Sequence, residues 1–151
     1  MKFRSFAKIN LGIDVLGKRE DGYHEIRTLF QAIEFGDILE FRPLSEREIR
    51  LSGTDASIPW DDRNLVHLAA RLLQQDFPKA GGVEVLVTKN VPAGKGLGGG
   101  SSNAAMTLFA LNRLWELGWT RAASRSTAAG SAPTSPISWP AGSAWGRAAA
   151  M

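Results

Sequence analysis

The 151-residue chain has no cysteine, one tyrosine, two histidines and no acidic residue after Glu116. The absence of cysteine excludes disulfides and thiolate metal sites and is compatible with a reducing compartment. No apolar run approaches the ~20 residues that span a bilayer. The opening Met1-Lys2-Phe3-Arg4-Ser5 also lacks the apolar stretch of a signal peptide. A cytoplasmic protein without a membrane partner is therefore expected.

An excess of acidic charge is missing too: the net charge is +3 and the pI about 9.6. Position removes the suggestion of a nucleic-acid partner. All 15 acidic residues precede Arg121, and the excess comes from Arg121, Arg125 and Arg147 alone, which leaves residues 1–120 formally neutral. A basic nucleic-acid binder is therefore not expected. Residues 121–151, rich in Ala, Ser, Pro and Gly, offer little periodic apolar surface to offset their ordering entropy, and are expected to be disordered.

Residues 1–120 form one domain in this reading, of α+β class. Alternating apolar positions predict strands over Phe3–Leu16, His24–Phe35, Asp37–Pro43, Glu48–Leu51 and Gly82–Thr88, with Gly36 as a turn between the second and third. Helical spacing of Leu65, Val66, Leu68, Ala69, Leu72 and Leu73 predicts a helix capped by Asp61 or Asp62, and a second helix runs over Ser101–Leu117.

Between the last strand and that second helix stands Pro92-Ala93-Gly94-Lys95-Gly96-Leu97-Gly98-Gly99-Gly100-Ser101-Ser102. Five glycines in seven residues permit positive φ and a close backbone approach to a ligand. The helix start behind them presents unpaired N–H groups and the positive end of a dipole, which suits a triphosphate. Ser101 and Ser102 can cap the helix, donate to phosphate oxygens or help place Mg²⁺. The segment is neither a P-loop, since Lys95 lies inside the glycines, nor a dinucleotide fingerprint. A plain flexible linker is the competing reading.

The string Pro-x-x-x-Gly-Leu-Gly-Gly-Gly-Ser-Ser-Asn-Ala-Ala resembles the phosphate loop of the galactokinase, homoserine kinase, mevalonate kinase and phosphomevalonate kinase superfamily. Ala7-Lys8-Ile9-Asn10-Leu11, Gly17-Lys18-Arg19-Glu20-Asp21-Gly22-Tyr23-His24-Glu25-Ile26, Thr28-Leu29-Phe30-Gln31 and Asp62-Arg63-Asn64-Leu65-Val66 narrow the resemblance to the 4-diphosphocytidyl-2-C-methyl-D-erythritol kinases of the non-mevalonate isoprenoid pathway. It covers residues 1 to about 118. It implies the amino-terminal domain of the superfamily fold (similar to ribosomal protein S5 domain 2), without the carboxyl-terminal domain. ATP is the implied co-substrate, Mg²⁺ the implied metal with ligands unassigned, and a cytidine diphosphate-linked methylerythritol the implied small-molecule partner.

By the same resemblance Lys8 is the catalytic lysine. Tyr23 and His24 hold the cytidine end, and Asn64 and Lys89 join residues 92–102 in contacting ATP. From the residues alone, Lys8 reads as a solvated strand lysine, Tyr23-His24 as a turn leading into a strand, and Asn64 as part of a helix cap.

The family's catalytic aspartate lies in a string like Leu-Gly-Ala-Asp-Val-Pro, which this chain lacks. Regrouping the codons of residues 130–142, so that each begins at the third base of the old one, permits Leu-Gly-Ala-Asp-Val-Pro-Tyr-Phe-Leu-Ala-Gly-Gly. The single Trp139 codon forces the Ala before the last two glycines. A frame shift near Trp119–Arg121 is therefore expected, with Trp139 and Trp145 outside any core. The apolar face normally covered by the absent half is expected to be exposed.

Overall fold

A computed structural model describes residues 1–18 and 22–118. Four strands and two helices follow in the order β1 (Lys2–Lys18), β2 (His24–Leu44), β3 (Ile49–Gly53), α1 (Leu65–Asp76), β4 (Gly82–Thr88) and α2 (Gly99–Leu114). The α+β expectation holds. Residues 121–151, with the expected frame shift and Trp139 and Trp145, lie outside the described residues.

The strands form one sheet in the order β1-β2-β4-β3. β1 with β2 and β2 with β4 are antiparallel, whereas β3 and β4 are parallel, with α1 as the crossover that a parallel pair requires. Strand alternation sends Leu39 and Phe41 of β2, and Val83, Val85 and Val87 of β4, to one face, where all five are fully buried. Val66, Ala69, Ala70 and Leu73 of α1 and Ala104, Leu108 and Leu111 of α2 close over that face. Phe3 joins the layers, edge-on to Phe41 at 6.1 Å and to Phe109 at 5.8 Å. The other sheet face is polar, with ion pairs Lys2–Glu40 at 3.0 Å and Arg42–Glu84 at 3.5 Å.

Three local expectations are corrected. His24–Phe35 and Asp37–Pro43 are one continuous strand, and Gly36 is not a turn. It is buried where β1 presses closest: a Cβ there would stand 2.3 Å from the Ser5 carbonyl oxygen, so the absent side chain admits the neighbouring strand. The cap of α1 is Asn64, whose side chain accepts from the Val66 N–H at 3.0 Å, rather than Asp61 or Asp62; Asp61 instead pairs with Arg63. Finally, α2 starts at Gly99, two residues before Ser101, and its cap is Gly98 in left-handed conformation with no side-chain bond. Ser101 and Ser102 therefore sit in the first turn rather than capping it.

Beyond Phe6 the β1–β2 pair runs on as a two-stranded ribbon, bulged between Phe6 and Lys8, Asn10 and Gly12, and Val15 and Gly17. Its apolar residues, among them Leu11, Ile13, Val15, Ile26, Leu29 and Phe30, are exposed. No helix of the described residues is long and apolar enough to cross a membrane.

Candidate functional site

The glycine segment leaves β4 through Lys89, Asn90 and Val91 and returns to regular structure at α2. Gly94, Gly96 and Gly98 have φ of 70°, 74° and 72°. These three left-handed turns fold the chain back on itself where a side chain would be strained. Pro92 to Gly96 are exposed, Leu97 and Gly98 half-buried, Gly99 buried and Gly100 exposed. The first intrahelical bond runs from the Ser102 N–H to the Gly98 carbonyl at 2.9 Å. The amides of Gly99, Gly100 and Ser101 thus have no partner within the helix, and no acidic side chain stands in the first turn. These are the elements of an anion site: open amides, a dipole end and no competing carboxylate.

Lys8 lies directly against this segment. Its N–H donates to the Leu97 carbonyl at 2.9 Å. Its aliphatic stem runs along Gly98, where a Cβ would stand 3.1 Å from the Lys8 Cγ. The bulge between Phe6 and Lys8 releases this N–H from the β1–β2 ladder. The Nζ donates to Asn10 Oδ1 at 2.6 Å and stands 5.0 Å from the Phe30 ring centroid. Asn10 in turn donates to Thr28 Oγ1 at 2.7 Å, which donates to the Gly12 carbonyl at 2.8 Å. The ammonium is therefore held on the ribbon surface beside the loop. A second tie from β1 is the buried Ser5 hydroxyl, which donates to Ser102 Oγ at 2.7 Å.

Lys89 is placed otherwise than a surface cation. Its side chain is 5% exposed and its Nζ donates to Asp37 Oδ2, which is fully buried. Asp37 also accepts from the N–H groups of Asn90 at 2.7 Å and Val91 at 2.8 Å, and from Asn103 Nδ2 at 2.9 Å. Burial alone would push the Asp37 carboxyl up. The Lys89 ammonium, the two backbone amides and the Asn103 amide outweigh that and hold it below its ordinary value.

Asn64 borders the site through α1: besides capping the helix it donates to the Pro59 carbonyl at 2.9 Å. The following Leu65 is 40% exposed, and its Cδ1 would lie 3.7 Å from a Cβ on Gly100. An apolar wall thus faces the helix start.

Tyr23 and His24 are not brought to this place. His24 pairs with Lys18 at the far end of the ribbon. The ten residues from Lys8 to Lys18 make a contour on the order of 30 Å at ~3.3 Å per residue. Sequence reading missed Asp37, Ser5, Asn10, Leu65 and Asn103. A signal existed for Asp37: it falls in phase with Leu39 and Phe41, on the face that must be buried. Among the described residues no group of three or more His, Cys, Asp or Glu is placed to hold a metal.

Residues 64–134 match the model of the GHMP kinases N terminal domain. The chain is 48% identical over 117 residues to the 4-diphosphocytidyl-2-C-methyl-D-erythritol kinase of Clostridioides difficile, covering 78% of this chain and 40% of the relative. It is 51% identical over 115 residues to that of Methylococcus capsulatus, covering 76% and 39%. A crystal structure of a 4-(cytidine 5'-diphospho)-2C-methyl-D-erythritol kinase superposes with a TM-score of 0.67 at 41% identity, over 76% of this chain and 41% of that one. Methanococcus jannaschii mevalonate kinase, at 19% identity and a TM-score of 0.57 over 76% and 40%, shares the fold. The chain spans about two fifths of the length of the curated relatives it matches. These matches agree on one likeness: the chain has the fold of the amino-terminal domain of the GHMP kinases and is similar in sequence to part of the 4-diphosphocytidyl-2-C-methyl-D-erythritol kinases.

Proposed function

We propose that residues 92–102 hold the phosphates of ATP beside Lys8, and that the domain serves phosphorylation of the 2-hydroxyl of 4-diphosphocytidyl-2-C-methyl-D-erythritol. One observation carries the reading: the Lys8 N–H is bonded to Leu97 and its stem lies on Gly98. In this reading the Lys8 ammonium and the amides at the start of α2 act on the same phosphates. Phosphoryl transfer needs little covalent chemistry from the protein; it needs the phosphates fixed and the growing charge balanced. The amides at the start of α2 bind the phosphates, and the Lys8 ammonium balances charge at the acceptor oxygen and the moving phosphoryl group.

Asn64 and the exposed Leu65 border the position of the nucleotide base. Lys89 acts from beneath the loop through Asp37. Mg²⁺ would arrive on the nucleotide's phosphates, with the Ser101 and Ser102 hydroxyls as the protein's contribution and no carboxylate cluster among the described residues to carry it. Tyr23 stacks on the cytosine and His24 bonds its edge. For both ends of one substrate to be held, the ribbon bends at its bulges, which are the points where a strand pair changes direction.

Residues 1–151 by themselves turn over little or no substrate, because no carboxylate follows Glu116 to orient the acceptor hydroxyl. The competing reading is a nucleotide-binding remnant without transfer. Calorimetry with ATP and with the cytidine substrate, run beside a turnover assay, separates the readings. Binding of both ligands supports the kinase reading, binding of ATP alone supports the remnant, and binding of neither removes both. The DNA across codons 115–151 decides the proposed frame shift.

A further inference from the structure

The segment from Asn90 to Asn103 is long, rich in glycine and largely exposed, yet its two ends meet on one side chain. Asp37 Oδ1 accepts the N–H groups of Asn90 and Val91, where the chain leaves β4. Asp37 Oδ2 accepts the Asn103 side-chain amide, in the second turn of α2, together with the Lys89 ammonium. Asn90 adds a bond from its own Nδ2 to the Gly36 carbonyl at 2.9 Å, on the residue before Asp37. A carboxylate offers about four lone-pair sites, and here four donors use them. None remains for a ligand, a metal or a reacting hydroxyl.

We infer that Asp37 is the positioning residue of the phosphate loop: a single buried carboxylate on β2 clamps both ends of residues 90–103 and thereby sets where the α2 amides stand relative to Lys8. Between the clamped ends the segment is tied to β1 by the Lys8 N–H at Leu97 and the Ser5 hydroxyl at Ser102, and its reach depends on where the ends are held. Gly99 reinforces the lower end. A Cβ there would stand 2.9 Å from Val91 Cγ1, so the start of α2 lies directly on the residue that Asp37 clamps. Lys89 neutralises the clamp from close under the start of α2, its Nζ 3.3 Å from where a Cβ on Gly99 would stand.

The inference rests on the phosphate-loop reading only for its consequence in ATP binding; the clamp itself can be tested without nucleotide. Asp37→Ala and Lys89→Met break the same buried ion pair, so both lower global stability, but only Asp37→Ala releases residues 90, 91 and 103. Hydrogen exchange of the Lys8 amide, divided by that of the Val85 amide in the same sample, removes the global contribution. The ratio is expected to rise about tenfold in Asp37→Ala, the size of one lost charge-assisted bond, and to stay near wild type in Lys89→Met. An unchanged ratio in Asp37→Ala, or an equal rise in both variants, overturns the inference.

Should Asp37→Ala fail to fold, Asn103→Ala leaves the ion pair intact and carries the same prediction at one end of the loop. In that variant the affinity for ATP is expected to fall several-fold while that for adenosine stays the same, because adenosine has no phosphates for the loop to hold. Parallel loss of both ligands, or of neither, contradicts the clamp. Failure of the wild-type chain to bind ATP removes the nucleotide reading and leaves the exchange ratio to judge Asp37.

Discussion

The inner and outer parts of the β1–β2 pair are built from similar alternating sequence and meet opposite fates. Near the base, Ser5, Ala7, Leu39 and Phe41 are buried, the last two in the core that α1 and α2 close. Along the ribbon, Val15 and Leu29 are each 64% exposed although their residue types are no less apolar. Alternation records which face of a strand seeks cover, not whether cover is present in the same 118 residues. The chain spans about two fifths of the length of its curated relatives, and its ribbon presents contiguous apolar surface to solvent.

The largest expected effect sharpens this contrast. Phe41→Ala should cost about 3–5 kcal/mol in urea unfolding, from lost transfer energy and the cavity left among Phe3, Leu39 and the helices. Leu29→Ala should stay within about 0.5 kcal/mol, as for an exposed position. A comparable loss at Leu29 would show the ribbon to be packed in solution.

Next in size is Gly98→Ala. Its φ of 72° and the 3.1 Å approach of the Lys8 stem oppose any side chain. Destabilisation of about 1 kcal/mol or more is expected, with weaker ATP binding in calorimetry. Asn64→Ala should cost about 1 kcal/mol through the lost α1 cap, read as a lower urea midpoint. Acid sensitivity sharpens the contrast from the side of charge. The folded-state pKa of Asp37 is lowered, so its contribution is complete above the ordinary carboxylate value of about 3.9 and is lost as pH falls through the lower folded value. Urea midpoints measured below pH 4 should therefore drop for the wild type and show less of this slope for Asp37→Asn.

Much of the base was legible in the sequence. The Gly82–Thr88 strand needed only its valines, and the glycine segment announced the left-handed backbone found at Gly94, Gly96 and Gly98. What stayed hidden depends on contacts between distant residues. Gly36 reads locally as a turn, and only the Ser5 carbonyl pressed against it shows why a glycine continues a strand. The start of α2 was misplaced because serines are the commoner caps, whereas a left-handed Gly98 caps it to admit the Lys8 stem. Asp37 was passed over because a strand carboxylate is usually solvated; its four donors come from residues 52 to 66 positions away.

The proposed phosphate site joins Lys8 to the amides at the start of α2, and titration of the ¹⁵N-labelled chain with ATP reads both at once. Amide shifts are expected to concentrate at Gly94 to Ser102 and at Lys8, with little change along Ile13 to Gly17. Saturable binding whose shifts bypass Gly98 to Ser101, or fall instead on the outer ribbon, would contradict it.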